Sequence, residues 1–198
     1  MLLAGCGSGQ DAQDKPAAKP VSMLKARDVK AALADKASLP GWTQANRIVD
    51  TSIYTCKILI EDNTCSDTTA SGTANFVRGP QMTTKWVRFS FNVYSFHKVS
   101  SARRLYDALP VYDPLPAGTK MPSLGDASSA SSQVLNGAHK TAYIHSRVRV
   151  GNTVVWTYVT GAPKAVTGER AEMAAKLQVA RVQQAYKGLK PTGRVDVP

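Results

Sequence analysis

The stretch from His145 to Tyr158 holds the side chains best suited to recognition. Arg147-Val148-Arg149-Val150 and Thr153-Val154-Val155-Trp156 flank Gly151-Asn152, the pattern of two strands joined by a two-residue turn. Such a turn fixes register, so Val150 should face Thr153, Val148 should face Val155 and Ser146 should face Thr157. That face is largely apolar and belongs beneath a helix. On the other face Arg149 opposes Val154, Arg147 opposes Trp156 and His145 opposes Tyr158. Cross-strand Cβ atoms lie ~4.5–5.5 Å apart, which puts the Arg147 guanidinium within stacking reach of Trp156. Arg147, Trp156, Tyr158, His145 and Arg149 are therefore the candidate ligand-binding residues, on a face suited to an anionic or sugar-containing ligand. The same residues also suit a solvated outer face whose aromatics shield the strands.

Other chemistry is sparse. His139 and His145 share a strand face but stand roughly 20 Å apart along an extended chain, so with His97 they make no metal site. Glu61, Asp62 and Asp67 surround Cys65, but the ligand spacing of a calcium loop is missing and an ordinary solvated turn is expected. Ser22-Met23-Leu24-Lys25 and Ser95-Phe96-His97-Lys98 both fit S-x-x-K, and Lys140-Thr141-Ala142 lacks the final Gly of K-T-G. Neither Ser-Lys pair has the partner motifs of penicillin-binding enzymes. No nucleophile elbow, zinc-protease motif, P-loop or dinucleotide fingerprint occurs. The expectation is a protein that is not an enzyme and carries neither metal nor cofactor.

Cys6 speaks to location. Leu3-Ala4-Gly5-Cys6 resembles the lipobox of bacterial lipoproteins, with compact side chains before the cut as signal cleavage requires. The resemblance implies cleavage before Cys6 and lipid on its sulfur and amino group. Several acyl chains would anchor stably where one would not, at ~0.8 kcal/mol per buried CH₂. Only residues 1–5 precede the cysteine, so the sequence shown is expected to begin within the signal; the alternative is a chance match, an unstructured start with a free Cys6. The remaining cysteines, Cys56 and Cys65, read outside the cytoplasm as a disulfide worth ~2.5–3 kcal/mol on the chain-entropy argument. The alternative is two buried free thiols.

The 198 residues carry 25 Lys and Arg against 14 Asp and Glu, a formal charge of +11. Surface charge of that size favours anionic partners, and the lipobox favours an envelope protein or anionic polymer over nucleic acid. The 43% hydrophobic content is enough for a sizeable core, and no apolar run approaches the ~20 residues of a membrane span.

These residues must be positioned by the elements around them. Residues 7–22 lack apolar periodicity and read as a flexible tether reaching roughly 20 Å. Asp28 as N-cap with Val29, Ala32 and Leu33 at helical spacing predicts a first helix over 28–36. Residues 47–59 read as extended, and 73–77 as a strand turning at Arg78-Gly79-Pro80-Gln81. Val87, Phe89, Phe91 and Val93 alternate with polar residues, a strand with one buried face. A helix over 100–109 follows, then a Pro- and Gly-rich loop over 110–126. Asn136-Gly137 predicts a further two-residue hairpin, giving a three-strand meander over 128–135, 138–150 and 153–160. Thr167 as N-cap opens a final helix to Lys187, with Ala175, Val179, Val182 and Tyr186 as its apolar stripe and Gly188 and Pro191 as its stop. The sum is an α+β fold: an antiparallel sheet ending in a three-strand meander, with helices packed on one face. The division is 1–6 signal remnant with lipidated Cys6, 7–22 tether, 23–192 one domain, and 193–198 tail.

Leu39-Pro40-Gly41-Trp42 after a short helix, Leu124-Gly125-Asp126 before a strand, and the hairpin from Arg147 to Val155 complete the pattern. With the lipobox they resemble actinobacterial surface lipoproteins that are similar to the extracellular sensor domain of mycobacterial PknH-type receptor kinases. The resemblance spans most of residues 24–190. It implies an extracytoplasmic, lipid-anchored module that binds a ligand or regulates envelope-stress signalling. That sensor domain has two disulfides around a cleft, whereas this chain offers only Cys56 and Cys65, so no binding residue is carried over beyond the hairpin face. The alternatives are a structural module gripping anionic wall polymers through its basic surface, and a hydrolase with an unrecognised site.

Overall fold

Residues Phe89, Phe91 and Val93 turn one way along their strand and Tyr94 and Phe96 turn the other, and all five are buried. A strand buried on both faces belongs in the middle of a sheet, and that is its place in the computed structural model. The structure describes residues 22–51, 54–57, 63–81, 83–116, 119–136 and 140–196. Cys6, nearly all of the tether, Glu61, Asp62, Gly137 and His139 lie outside the described residues.

The elements run α1 (Ala26–Ala32), β1 (Thr43–Asp50), α2 (Tyr54–Lys57), a 3₁₀ turn (Asn63–Asp67), β2 (Thr68–Arg78), β3 (Val87–Phe96), α3 (Val99–Ala108), β4 (Ala127–Leu135), β5 (Thr141–Val150), β6 (Thr153–Gly161) and α4 (Gly168–Tyr186). The six strands form one antiparallel sheet in the order β1-β2-β3-β6-β5-β4. The α+β class and the closing meander are as the sequence predicts. The expectation of helices on one face holds for α1 and α4, while α3 docks on the opposite face beside Tyr94, Phe96 and Val154.

The main core lies under α1 and α4. Trp42, from the Leu39-Pro40-Gly41-Trp42 turn, stacks on Phe89 with ring centroids 4.3 Å apart. Gly72 of β2 lets α1 approach: a Cβ there would sit 2.7 Å from Leu33 Cδ1 and 2.9 Å from Val29 Cγ1. Two buried polar side chains of α4 close the C-terminal end of α1, whose carbonyls have no intrahelical partner. Gln178 donates to the Ala32 carbonyl at 2.9 Å and accepts from the Ala34 amide at 3.1 Å. Arg181 donates to the carbonyls of Ala31, Ala32 and Leu33 and pairs with Asp35 at 3.0 Å. Burial raises the Asp35 carboxyl, but hydrogen bonds from Ser38 and the Arg181 charge outweigh it and hold the group below its ordinary range.

The smaller core is on the other face. Cys56 and Cys65 form a disulfide, fully buried against Tyr94, Phe96, Ala102 and Leu105, so the paired alternative describes them. This bridge ties α2 to the 3₁₀ turn and supplies part of the floor on which α3 rests.

Several local expectations change. Lys25, not Asp28, is the N-cap of α1, and Asp28 sits three residues on, reaching back to accept from the Lys25 amide at 3.1 Å. An acidic side chain at that position satisfies the amide of the N-cap residue and lies at the positive end of the helix. The extended reading of 47–59 gives way at Tyr54–Lys57, which are helical where the disulfide closes the chain on itself. The strand expected at 73–77 begins at Thr68. The Asn136-Gly137 turn would pair Leu135 with Ala138, but Leu135 pairs with Thr141. Register there is set from the far end, where Asp126 donates its amide to the Arg149 carbonyl at 2.8 Å and Ser129 accepts from Arg147 at 2.6 Å. The expected pairing is three residues off, an odd shift that would turn Ser129 to the wrong face.

The β5–β6 register agrees with expectation at every position: Val150 with Thr153, Val148 with Val155, Arg147 with Trp156 and His145 with Tyr158. Its turn is gripped from three sides. Asp126 accepts from the Gly151 amide at 2.7 Å, buried Asn152 donates to the Phe96 carbonyl at 2.5 Å, and Tyr186 of α4 donates to Asn152 Oδ1 and bonds Thr153 at 2.7 Å. Asn152→Ala strips partners from two of these elements, and buried groups left unpaired cost ~1–3 kcal/mol. The variant should lose ~2–3 kcal/mol in urea unfolding with its m-value unchanged. An unaltered midpoint would show that the turn holds without this contact.

Candidate site on the second face of the sheet

The side chains of the second face divide into a part beneath α3 and a part that no described helix covers. Beneath α3 lies Arg147. It opposes Trp156 as expected, but its guanidinium does not stack there. Nε donates to Ser129 at 2.6 Å, and Nη1 donates to the carbonyls of Tyr106 and Leu109 at 2.7 and 2.8 Å. The guanidinium carbon also stands 4.7 Å from the Tyr106 ring centroid. The C-terminal end of α3 presents unpaired carbonyls and a partial negative charge, and Arg147 satisfies both. Arg149 is likewise engaged, with Asp126 at 2.9 Å and the Gly151 carbonyl at 3.2 Å. Both arginines hold the fold together.

The aromatic residues gather as the sequence suggests and more densely. His145 lies 4.6 Å from Tyr112, 5.6 Å from Tyr158, 5.8 Å from Tyr143 and 6.2 Å from Trp156, centroid to centroid. Tyr112 arrives from the 110–126 loop, which is strapped along β4: Ser132 donates its amide to the Asp113 carbonyl at 2.8 Å and its hydroxyl to the Pro114 carbonyl at 2.7 Å. Trp156, Tyr158, Tyr143 and Tyr112 are all half-buried and form a ledge around the imidazole. His145 is 8% exposed, and neither ring nitrogen has a hydrogen-bond partner among the described residues.

Beside the ledge runs a row of amides and hydroxyls on β1, β2 and β3. Asn75 donates to Asn46 at 2.7 Å, Ser90 donates to Asn75 at 2.5 Å, and Thr73 donates to Asn92 at 2.9 Å. Asn92 in turn donates to the Trp156 carbonyl at 3.1 Å, which joins the row to the ledge. Sequence reasoning missed Tyr112, Tyr143, Asn75 and Asn92. The signal for the asparagines was present, since they alternate with Phe76, Phe89 and Phe91, but polar alternation alone reads as a wetted face. Nothing local foretold Tyr112. Among the described residues no three His, Cys, Asp or Glu side chains converge as a metal group needs. No described helix is long and apolar enough to cross a membrane.

Stacking rings beside oriented amides suit a ligand with apolar faces and hydroxyl edges, the chemistry of a sugar. The fold itself defines a class: a six-strand antiparallel sheet with two helices on one face and a third helix, floored by a disulfide, on the other. It is similar to the crystal structure of the extracellular domain of PknH from Mycobacterium tuberculosis, with a TM-score of 0.53 and 14% identity over 84% of this chain and 98% of that chain. The resemblance read from short motifs is thus a likeness of fold over nearly the whole domain. No family model and no curated protein matches the chain.

Burial pushes the His145 imidazole down to about 4, so it is neutral at pH 7. Unfolding returns it to ~6.5, and between those values the unfolded chain binds more protons. The stabilisation is therefore complete above pH ~6.5, falls as pH drops and is gone below about 4, a loss of ~2–3 kcal/mol between pH 7 and 4.5. Urea midpoints measured at those two pH values should fall in the parent, and His145→Phe should flatten most of the difference. Equal slopes in parent and variant would mean that the ring is not held neutral by the cluster.

Proposed function

We propose that the protein is an extracytoplasmic lipoprotein whose domain binds a ligand without chemistry and serves as an envelope-sensing or regulatory module. The observation that carries this is the likeness to an extracellular domain across 98% of that chain. Two further features support it: the lipobox at Cys6, and a buried disulfide of the kind that persists in oxidising compartments. The ligand face in this reading is the ledge of Trp156, Tyr158, Tyr143 and His145 with the amide row beside it. Arg147 and Arg149 are spent on the fold and His145 is neutral, while Arg88 of the same face lies over the Trp86 ring, so the hairpin part of this face suits a sugar-containing ligand better than a purely anionic one.

Anchoring has a direct test. Protein from the native membrane fraction, expressed with its upstream reading frame, should have an intact mass matching cleavage before Cys6 plus acyl chains, and Cys6→Ser should move it to the soluble fraction. An unmodified soluble product removes the anchor from the reading.

The face is tested separately with Trp156→Ala and Tyr158→Ala together. This double variant should have a lower melting point, since Trp156 packs on the smaller core, yet keep the parent's circular dichroism spectrum at about 20 °C, where its pull-down by envelope polysaccharide fractions should fall at least ten-fold. Parent-like capture would show that the ledge is only a shielding surface.

A further inference from the structure

On the opposite face of the sheet, at the end far from the Gly151-Asn152 turn, a cavity of about 450 Å³ is lined by Arg78, Gly79, Thr84, Lys85, Val87, Lys164, Ala165 and Arg170. Four of these eight described residues are cations and none of the eight is an acid. They come from three separate pieces of chain: the end of β2, the connection into β3, and the connection from β6 through the first turn of α4. We propose that this cavity is a binding site for a phosphate-bearing group, of the size of a phosphorylated sugar or polyol.

The walls are built and held. Gly79 has a φ of +78°, and a Cβ there would lie 2.7 Å from the Lys85 carbonyl oxygen, so the two strands of the β2–β3 connection close tightly behind the cations. Thr83 donates its amide to the Pro80 carbonyl at 3.3 Å and Trp86 donates to the Thr83 carbonyl at 3.2 Å. Ala162 then donates to the Trp86 carbonyl at 3.1 Å, which ties this connection to the one that carries Lys164. The two arginines are oriented by the fold. Arg78 lies over the Trp42 ring, 5.9 Å from its centroid, and Arg170 donates through Nη1 to the Ala165 carbonyl at 2.6 Å. Lys85 and Lys164 are exposed and extend from the rim.

Two positioned guanidiniums suit the fixed geometry of a phosphate's oxygens, and two flexible ammonium groups add charge as mobile point donors. Val87 and Ala165, both buried, give the floor an apolar character that receives the carbon frame of a sugar or polyol. Glu169 is next to Arg170 in sequence but does not line the cavity. Cations drawn from three pieces of chain raise the positive potential at this one place, which attracts a polyvalent oxyanion. The size falls within the usual range for small-molecule sites. The phosphate has two possible sources, a soluble sugar phosphate or polymer repeat and an anionic phospholipid headgroup, and the same chemistry serves both.

Amide-resolved NMR titration of the soluble domain separates them. Glucose 6-phosphate should shift the amides of Gly79, Thr84, Lys85, Val87 and Ala165, and glucose should not. Phosphatidylglycerol vesicles should attenuate the same amides if a headgroup is the source, with phosphatidylcholine vesicles as the blank. Response to either phosphate probe at these residues supports the site and names its source. The charge reversal Lys85→Glu with Lys164→Glu, at exposed positions that leave circular dichroism and urea midpoint unchanged, should weaken that binding at least ten-fold. Shifts scattered over the basic surface, no response to either probe, or equal affinity in the double variant would overturn the proposal. The sheet-face reading involves other residues on the opposite face, so either can fail alone.

Discussion

The turn at Gly151-Asn152 joins β5 to β6, and three other parts of the chain close on it. Asp126 at the start of β4 binds the Gly151 amide, the end of β3 exchanges hydrogen bonds with Asn152, and Tyr186 near the end of α4 reaches the same residue. Because side chains alternate with a period of two, a slip of one residue here would turn every side chain of the adjoining strand to the wrong face. The Leu124-Gly125-Asp126 motif is intelligible in this light. Gly125 has a φ of +59°, and a Cβ would stand 2.4 Å from the Arg149 carbonyl oxygen, so a glycine lets β4 start against the turn and Asp126 clasp it.

Fixed register divides the molecule's chemistry between two faces. One receives Phe89, Phe91, Val148, Val155 and Val159 and is sealed by α1 and α4, which Arg181 and Gln178 lock to each other. The second face has no such seal along its length. Its disulfide-backed end supports α3, and α3 consumes Arg147 to satisfy its last carbonyls. What remains uncovered by any described helix is the aromatic ledge and the amide row, where stacking and hydrogen bonding are available.

Charge has instead collected at the far end of the first face. A net charge of +11 spread evenly would steer anions weakly to the whole surface. Four cations around one cavity concentrate it, beside the apolar floor that the main core provides. The two surfaces differ in what they can hold: one stacks and hydrogen-bonds, the other pairs with a charged group.

Local pattern in the sequence determined the strands β3, β5 and β6, the β5–β6 register and helix α4 from Thr167 to its Gly188 stop, because alternation, a two-residue turn and capping residues act over a few positions. It also placed Trp156, Tyr158 and His145 on one face and paired Cys56 with Cys65. Tertiary structure alone decided the rest. Which face α3 occupies depends on where the disulfide loop and β3 bring its ends, and that choice converts Arg147 from a ligand candidate to a helix cap. The β4–β5 register followed contacts at Asp126 and Ser129 instead of Asn136-Gly137, since several distant bonds outweigh one turn's preference. Tyr112 joins His145, and Arg78 joins Lys164 and Arg170, across separations over which no periodicity in the sequence persists.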